Sequence, residues 1–353
     1  MRGRVDAGAR TGFTGVMSRR YIVIGAGAIG GGIGGLLSLH GMPAVLVARG
    51  DHLDRMRSDG LRLRTPDAAA TTPVVAVGGP DEVELTGEDV LVLAVKTQQA
   101  EAALAQWADA PVGNRSAGEV LPILIALNGV SAEARALRWF RRVYGVCVWM
   151  PAARLVAGEV ILRGTPVRGV LHLARVPAPL TRDDDRALLE GIAADWERAE
   201  LRVVLPADVM PWKYRKLLSN LGNAVQALVG TIDEDVVAAA RAEAEGIYAA
   251  VGIRMNPAED ERHHRAGLRV AAVPGEPEGL GGSTWQSMAR RTGTTEVDFL
   301  NGEIVAIAHA AGLDAPINAG LARLTRRASR SGAVPGDLTV GRLRAALSAD
   351  DPD

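Results

Sequence analysis

Short apolar runs alternating with amphipathic stretches fill the first two hundred residues. Candidate strands lie at 21–24, 44–48, 74–77, 90–95, 121–126, 143–148 and 169–175. Strand and helix patterns in alternation predict a mostly parallel sheet with helices on both faces. A helix is expected over 181–199, opened by Thr181 and the acidic run from Asp183 to Asp185, with Leu188, Leu189, Ile192 and Trp196 facing inward. Beyond Pro206 the strand pattern stops, and helices are expected over 208–229, 233–252, 284–292, 295–311 and 316–331. Pro206 and Pro211 punctuate the change. The chain therefore reads as an α/β domain over 18–206, a doubly wound parallel sheet, followed by an all-α domain over 207–335. The charged, Gly- and Pro-rich stretch 254–282 and the tail 336–353 lack periodicity, so the first is read as irregular and the second as flexible. Residues 1–17 are expected to be a disordered extension, with Met17 as the start of translation.

One segment imitates a membrane span. Tyr21 to Leu39 is nineteen residues without a charge and contains GxxxG pairs such as Gly27/Gly31, which would suit helix dimerisation. Its distribution argues otherwise: a short β-branched run, a glycine cluster, and a second apolar run after Gly41-Met42-Pro43 read as strand, turn, helix and strand. The composition agrees, with 48% hydrophobic and 23% charged residues in a chain of 353. A net charge of −1 favours neither nucleic acid nor an anionic membrane surface. The single cysteine, Cys147, cannot form an internal disulfide and fits a small core residue in a reducing, cytoplasmic setting. The six histidines show no metal-ligand spacing; His263-His264 reads as a pair on a solvated loop.

Gly25-Ala26-Gly27-Ala28-Ile29-Gly30 follows a strand and opens a helix, the context a dinucleotide-binding turn requires. Gly25 permits the turn, Gly27 lets the backbone approach a pyrophosphate at the helix N-terminus, and Gly30 lets helix and strand pack closely. The second strand ends in Ala48-Arg49-Gly50, where an NAD site usually holds a carboxylate for the ribose. A guanidinium there suits the 2′-phosphate of NADP, so NADPH is the expected cofactor; Asp51 keeps NAD as the alternative. Lys96 and Asn128 fall at the carboxyl ends of strands, where parallel sheets bind ligands. The Asn128 amide could serve nicotinamide or substrate, or simply end the strand in a turn.

Only three of the 40 basic residues are lysines: Lys96, Lys213 and Lys216. Arginine cannot release its proton, whereas burial can tune a lysine toward neutral pH. Lys216 and Asn220 are four apart in a helical stretch and share a face. The flanking Leu217, Leu218 and Leu221 imply burial, and lowering the lysine from about 10.4 toward 8 requires roughly 3 kcal/mol of environment. Lys213, one turn earlier, reads as a solvated neighbour. Thr294 or Thr295 could cap the next helix, with Glu296 and Asp298 in its first turn.

Together these residues resemble the ketopantoate reductase (2-dehydropantoate 2-reductase) family, from about Tyr21 to about Leu324. The carriers are the glycine motif, Val95-Lys96-Thr97-Gln98-Gln99, Asn128-Gly129, Lys216 with Asn220, Ser283-Thr284, Thr295 to Asp298 with Asn301-Gly302, and Gly312 with Pro316-Ile317-Asn318. The resemblance implies a Rossmann-like domain, a helical substrate domain, and NADPH-dependent reduction of a 2-keto acid to the 2-hydroxy acid. It implies Lys216 as general acid, with Glu296 holding that lysine or a substrate hydroxyl. Asn128 and Asn220 would orient substrate, Thr284 beside Ser283 would bind its carboxylate, and Lys96 and Gln99 would line the cofactor pocket. The chain departs from the family pattern at Ala224, where a second Asn is usual, and at Trp285, which would narrow the pocket. These departures put the identity of the keto acid in doubt, and the assembly, a homodimer or otherwise, is open. An opine- or imine-type dehydrogenase and a non-catalytic NADPH-binding protein are the competing readings.

Overall fold

The computed structural model describes residues 19–291 and 293–348. The expected N-terminal extension lies outside them. Eight strands form the central sheet: β1 (Arg20–Ile24), β2 (Ala44–Val47), β3 (Val75–Val77), β4 (Asp89–Leu93), β5 (Pro122–Ile125), β6 (Arg142–Trp149), β7 (Gly169–Val176) and β8 (Leu201–Val204). Their spatial order is β8-β7-β6-β5-β4-β1-β2-β3, and every neighbouring pair is parallel except β6–β7. The short strand β8 follows a helix closely and escapes the sequence pattern.

Period-two alternation sorts the central strands into two cores. Tyr21 and Val23 face one layer with Val90, Val92 and Leu124; Ile22 and Ile24 face the other with Leu91, Leu93, Ile123 and Ile125. Helices α1 (Ala28–Leu39), α2 (Gly50–Asp59) and α4 (Asp183–Arg198) cover the first layer, and α3 (Ala100–Ala108) helps cover the second. A second, four-stranded sheet lies against α1, with 61–64 pairing both 69–72 and 159–162, and 159–162 pairing 152–153. The sequence pattern misses this sheet because its strands are short and half polar.

The helical part contains α5 (Met210–Asn220), α6 (Gly222–Val229), α7 (Glu234–Val251), α8 (Ala258–Arg265), α9 (Ser283–Ala289), α10 (Asn301–Ala310), α11 (Pro316–Arg330) and α12 (Val340–Ser348). The single helix expected over 208–229 is divided at Leu221, whose amide bonds back to Leu218 in a tighter step. The boundary expected near 206 is a seam. Val209 and Trp212 pack under the Rossmann sheet, while Leu217 and Leu218, on the same α5, join the helical core. One helix thus places its middle residues between the two cores.

Two stretches correct the sequence reading. The segment 254–282 carries α8 and a strand, Leu268–Val270, that pairs with 164–166. The tail expected to be flexible carries α12, with Leu343 fully buried and Arg344 paired to Asp233. Val340, Leu343 and Leu347 fall at helical spacing, but nine residues are too few to make a helix on their own, and neighbouring helices supply the partner surface. No helix among the described residues is long and apolar enough to cross a membrane.

Candidate active site

The strand ends converge on a cavity of about 1140 Å³. Its Rossmann wall begins at the glycine turn. Gly25 has φ +100°, and a Cβ there would press on the Val95 backbone; Gly30 packs so close to the Gly25 carbonyl that any side chain would collide. Ala26, Gly27, Ala28 and Ile29 line the cavity. No side chain caps α1, so its first amides are free to meet an anion. Arg49, at the end of β2, is exposed on the same wall.

Lys96 lies three residues past β4, and its ammonium lies 2.6 Å from Glu296. Glu296 also accepts from the Thr97 amide at 3.2 Å and the Thr97 hydroxyl at 3.0 Å. Burial opposes ionisation of this carboxyl, but the Lys96 charge and the Thr97 bonds outweigh it and hold its pKa below the usual carboxylate range. The helix expected to open at Thr294 or Thr295 begins later, at Asn301, after a short 3₁₀ turn. Glu296 therefore precedes a 3₁₀ turn rather than lying in the first turn of a long helix, and its side chain grips Lys96 rather than Lys216. Asp298 pairs with Arg326 on the surface. Gln99 lines the cavity and accepts weakly from the Lys96 amide at 3.4 Å.

Lys216 projects from α5 into the cavity, half-buried. Its Nζ donates to Asn128 Oδ1 at 2.7 Å and to the Val148 carbonyl, and lies over the Trp149 ring. Burial, aided by the Lys213 charge, pushes its pKa down to about 8. Asn220 lines the same wall with its Oδ1 unpartnered, and so does Ser283 with its Oγ.

Lys213 is not solvated. It is 3% exposed, paired with Glu133, itself 1% exposed, and donates to the Leu127 carbonyl at 3.1 Å. The expectation failed because three residues of helix turn Lys213 toward the sheet, where Glu133 waits. Nothing in the local sequence marks Glu133 as its partner.

The family model described as ketopantoate reductase PanE/ApbA matches residues 21–175, and the model of its C-terminal part matches 208–329. The chain belongs to the ketopantoate reductase family. The 2-dehydropantoate 2-reductase of Pyrococcus horikoshii is 24% identical over 315 residues, covering 85% of this chain and 94% of that protein. The one from Mesorhizobium japonicum is 27% identical over 270 residues, 70% of this chain and 81% of its own. Among solved structures, a PanE/ApbA family ketopantoate reductase from Ralstonia eutropha aligns with a TM-score of 0.70 at 23% identity, over 89% of this chain and 99% of its own. D-mandelate dehydrogenase with NADH and anilino(oxo)acetate aligns at 0.71 and 20% identity, with the same coverage.

Within this ketopantoate reductase fold, several lining residues differ from those expected. Thr284 is 2% exposed with its hydroxyl unpartnered, and it is not among the cavity-lining residues, whereas Ser283 is. Trp285 packs with Ala153, Ile161, Val273 and Leu280 and leaves the pocket to Gln286 and Ser287. Ala224 is buried in the helical core, while Asn223 beside it reaches the cavity. The amide missing at 224 is thus offered one residue earlier. His264 lies on α8, not on a loop; it stacks on Trp212 at 4.6 Å and meets His172 at 3.1 Å. Sequence reading missed the aromatic wall at Trp149 and the arginines Arg154, Arg265 and Arg290, all lining the cavity. In a chain with 37 arginines, no single one stands out.

Proposed function

We propose that this ketopantoate reductase-family protein reduces a 2-keto acid, 2-dehydropantoate or a close relative, to the 2-hydroxy acid with NADPH, and that Lys216 is the general acid. The observation that carries the reading is the hydrogen-bond count at Lys216. An ammonium has three donors; Asn128 and the Val148 carbonyl accept from it, which leaves one N–H for a substrate carbonyl in the cavity. A pKa of about 8 keeps the group protonated at neutral pH yet close enough to release its proton. The other cavity lysine, Lys96, is neutralised by Glu296 and is the poorer donor.

The residues present fit a nicotinamide dinucleotide. The uncapped start of α1 and the glycine turn would hold its pyrophosphate, and the exposed Arg49 would meet a 2′-phosphate. When bound, the nicotinamide supplies the hydride for the substrate carbon. Lys216 gives its proton to the carbonyl oxygen as negative charge builds there, and Asn128 keeps the ammonium aimed. Asn220 and Ser283, each with an unpartnered oxygen, orient the substrate hydroxyl and carboxylate. The relatives named 2-dehydropantoate 2-reductase and the D-mandelate dehydrogenase neighbour support a 2-keto/2-hydroxy acid pair rather than an opine or imine.

The test is NADPH oxidation by purified protein against a panel of 2-keto acids, with and without amines. Lys216→Ala should lose roughly 10²–10⁴-fold in turnover while binding NADPH as before. Lys216→Arg should not recover it, because arginine holds its proton. An Arg variant with most of the original turnover would refute the general-acid role.

A further inference from the structure

Seven cations line the cavity: Arg49, Lys96, Arg154, Arg163, Lys216, Arg265 and Arg290. Three are answered by carboxylates, with Lys96 on Glu296, Arg163 on Glu276 at 3.3 Å and Arg265 on Glu261 at 2.8 Å. Lys216 is engaged by neutral acceptors, and Arg49 stands in solvent. Arg154 and Arg290 are different. Both are half-buried, and neither has an acidic partner among the described residues. Arg290 donates only to the Arg154 backbone carbonyl, at 2.5 Å, and the Arg154 guanidinium has no partner there at all. Burial holds both guanidiniums below their ordinary pKa, and at Arg290 the Arg154 charge adds to that. Two adjacent, partly desolvated like charges are costly unless an anion joins them.

Their position says which anion. Arg154 directly follows the strand Ala152–Ala153, which pairs with 159–162. That pair lies on α1: a methyl added to Gly31 would come within 2.9 Å of Val160, and one on Gly32 within 3.0 Å of Leu162. His52, which bonds the Ala26 carbonyl at 2.7 Å in the glycine turn, feels the Arg154 charge. Lys216 instead has Arg265 as its neighbouring guanidinium. Arg154 therefore lies toward the glycine-turn end of the cavity, with Arg290 bonded to its backbone, and neither charge is among those acting on Lys216.

We propose that Arg154 and Arg290 form a two-guanidinium clamp that grips the pyrophosphate of the bound nicotinamide dinucleotide from the wall facing the first turn of α1. The inference rests on the nucleotide half of the proposed function and not on the role of Lys216. Amides of α1 meet the phosphates from one side, and planar guanidinium forks meet them from the other. Arg290 ends α9, so the clamp also ties the helical part to the nucleotide.

The experiment uses the full chain. NADPH and NADH are titrated by tryptophan quenching, which Trp107 and Trp149 on the cavity wall make sensitive, into the unmodified protein, Arg154→Met, Arg290→Met and the double variant. Each single change should weaken both nucleotides about 10- to 100-fold. The NADPH-to-NADH ratio should stay constant, since both carry the pyrophosphate. Without nucleotide the variants should melt at the same temperature or higher, because a repulsion has been removed. Inorganic pyrophosphate at millimolar concentration should raise the melting temperature of the unmodified protein and not of the double variant. Unchanged nucleotide affinity with a raised KM for keto acid would assign the pair to substrate and overturn the clamp. Lower melting with normal affinity would make it structural. If a Met variant does not fold, Arg154→Gln and Arg290→Gln are read by the same criteria, and failure of pyrophosphate to stabilise the unmodified protein refutes the proposal directly. Inactive Lys216 variants leave these readings untouched.

Discussion

Lys216 and Asn128 meet at 2.7 Å across the seam between the two cores, a helix residue held by an amide three residues past β5. The contact fixes the direction of the ammonium as well as its position. In the proposed role that group must carry its proton to act as an acid, so its lowered pKa would set the working pH. The kcat for keto acid reduction should be flat below about pH 8 and fall tenfold per unit above it, following a pKa of about 8. Oxidation of the 2-hydroxy acid requires the free amine and should rise through the same value. A reduction rate indifferent to pH between 7 and 9 would exclude this lysine as the donor.

Lys213 supports that pKa from behind. Its charge is one of the causes that depress Lys216, and its own burial against Glu133 leaves the carboxylate dependent on it. Lys213→Met should destabilise the protein by about 3–5 kcal/mol, the usual cost of orphaning one partner of a buried pair. Lys213→Met with Glu133→Leu should recover most of the loss in a denaturant titration. In the double variant, the alkaline limb of the reduction profile should move to higher pH, since a neighbouring positive charge is gone.

Arg49 is exposed, so the proposed contact with a 2′-phosphate would be screened by salt. We expect the low end of charged hydrogen-bond values, about 1.5 kcal/mol or roughly tenfold in preference for NADPH over NADH. Arg49→Asp should erase or reverse that preference, and raising the ionic strength should narrow it. Equal dissociation constants in the unmodified protein would refute this role.

Truncation after residue 338 removes α12. Leu343 alone is worth about 1.5–3 kcal/mol of burial, and the Arg344 bonds to Asp233 go with it. The truncated protein should melt several degrees lower. An unchanged melting temperature would show that the helix only rests on the surface.

How much of this was legible depended on what each signal needed. The sheet needed only local apolar runs, and β1, β2, β4 and β5 fall where Val, Ile and Leu cluster. The glycine turn could be read because its chemistry sits in six consecutive residues. Lys213 and Lys216 were harder. Both lie on the buried side of one helix, and only the positions of Glu133 and Asn128, some 80 residues earlier, decide which is neutralised and which is poised. Glu296 was read as holding Lys216 or a substrate hydroxyl, and its contact with Lys96 escaped for the same reason: Lys96 approaches it from 200 residues away. Arg154 and Arg290 were invisible because an unpaired arginine looks like a paired one until its neighbours are known. The helix α8 hid in a charged stretch whose apolar partner surface, Trp212 and His172, belongs to other elements.

The burial of α12 has a consequence for the order of events on the ribosome. The Rossmann layers are complete once Trp212 has emerged, and domains generally fold from the N-terminus during synthesis. The helical core, in contrast, lacks its last packing layer until Leu343 and Leu347 reach α6 and α11. In between, about 130 residues (from 213 to 343), most of them in amphipathic helices, stand beside a finished sheet with apolar faces still partly open. The nascent chain should therefore be most dependent on chaperones while residues 213 to 343 are being made, and a translational pause within that stretch would lengthen the exposure more than one within the Rossmann layers.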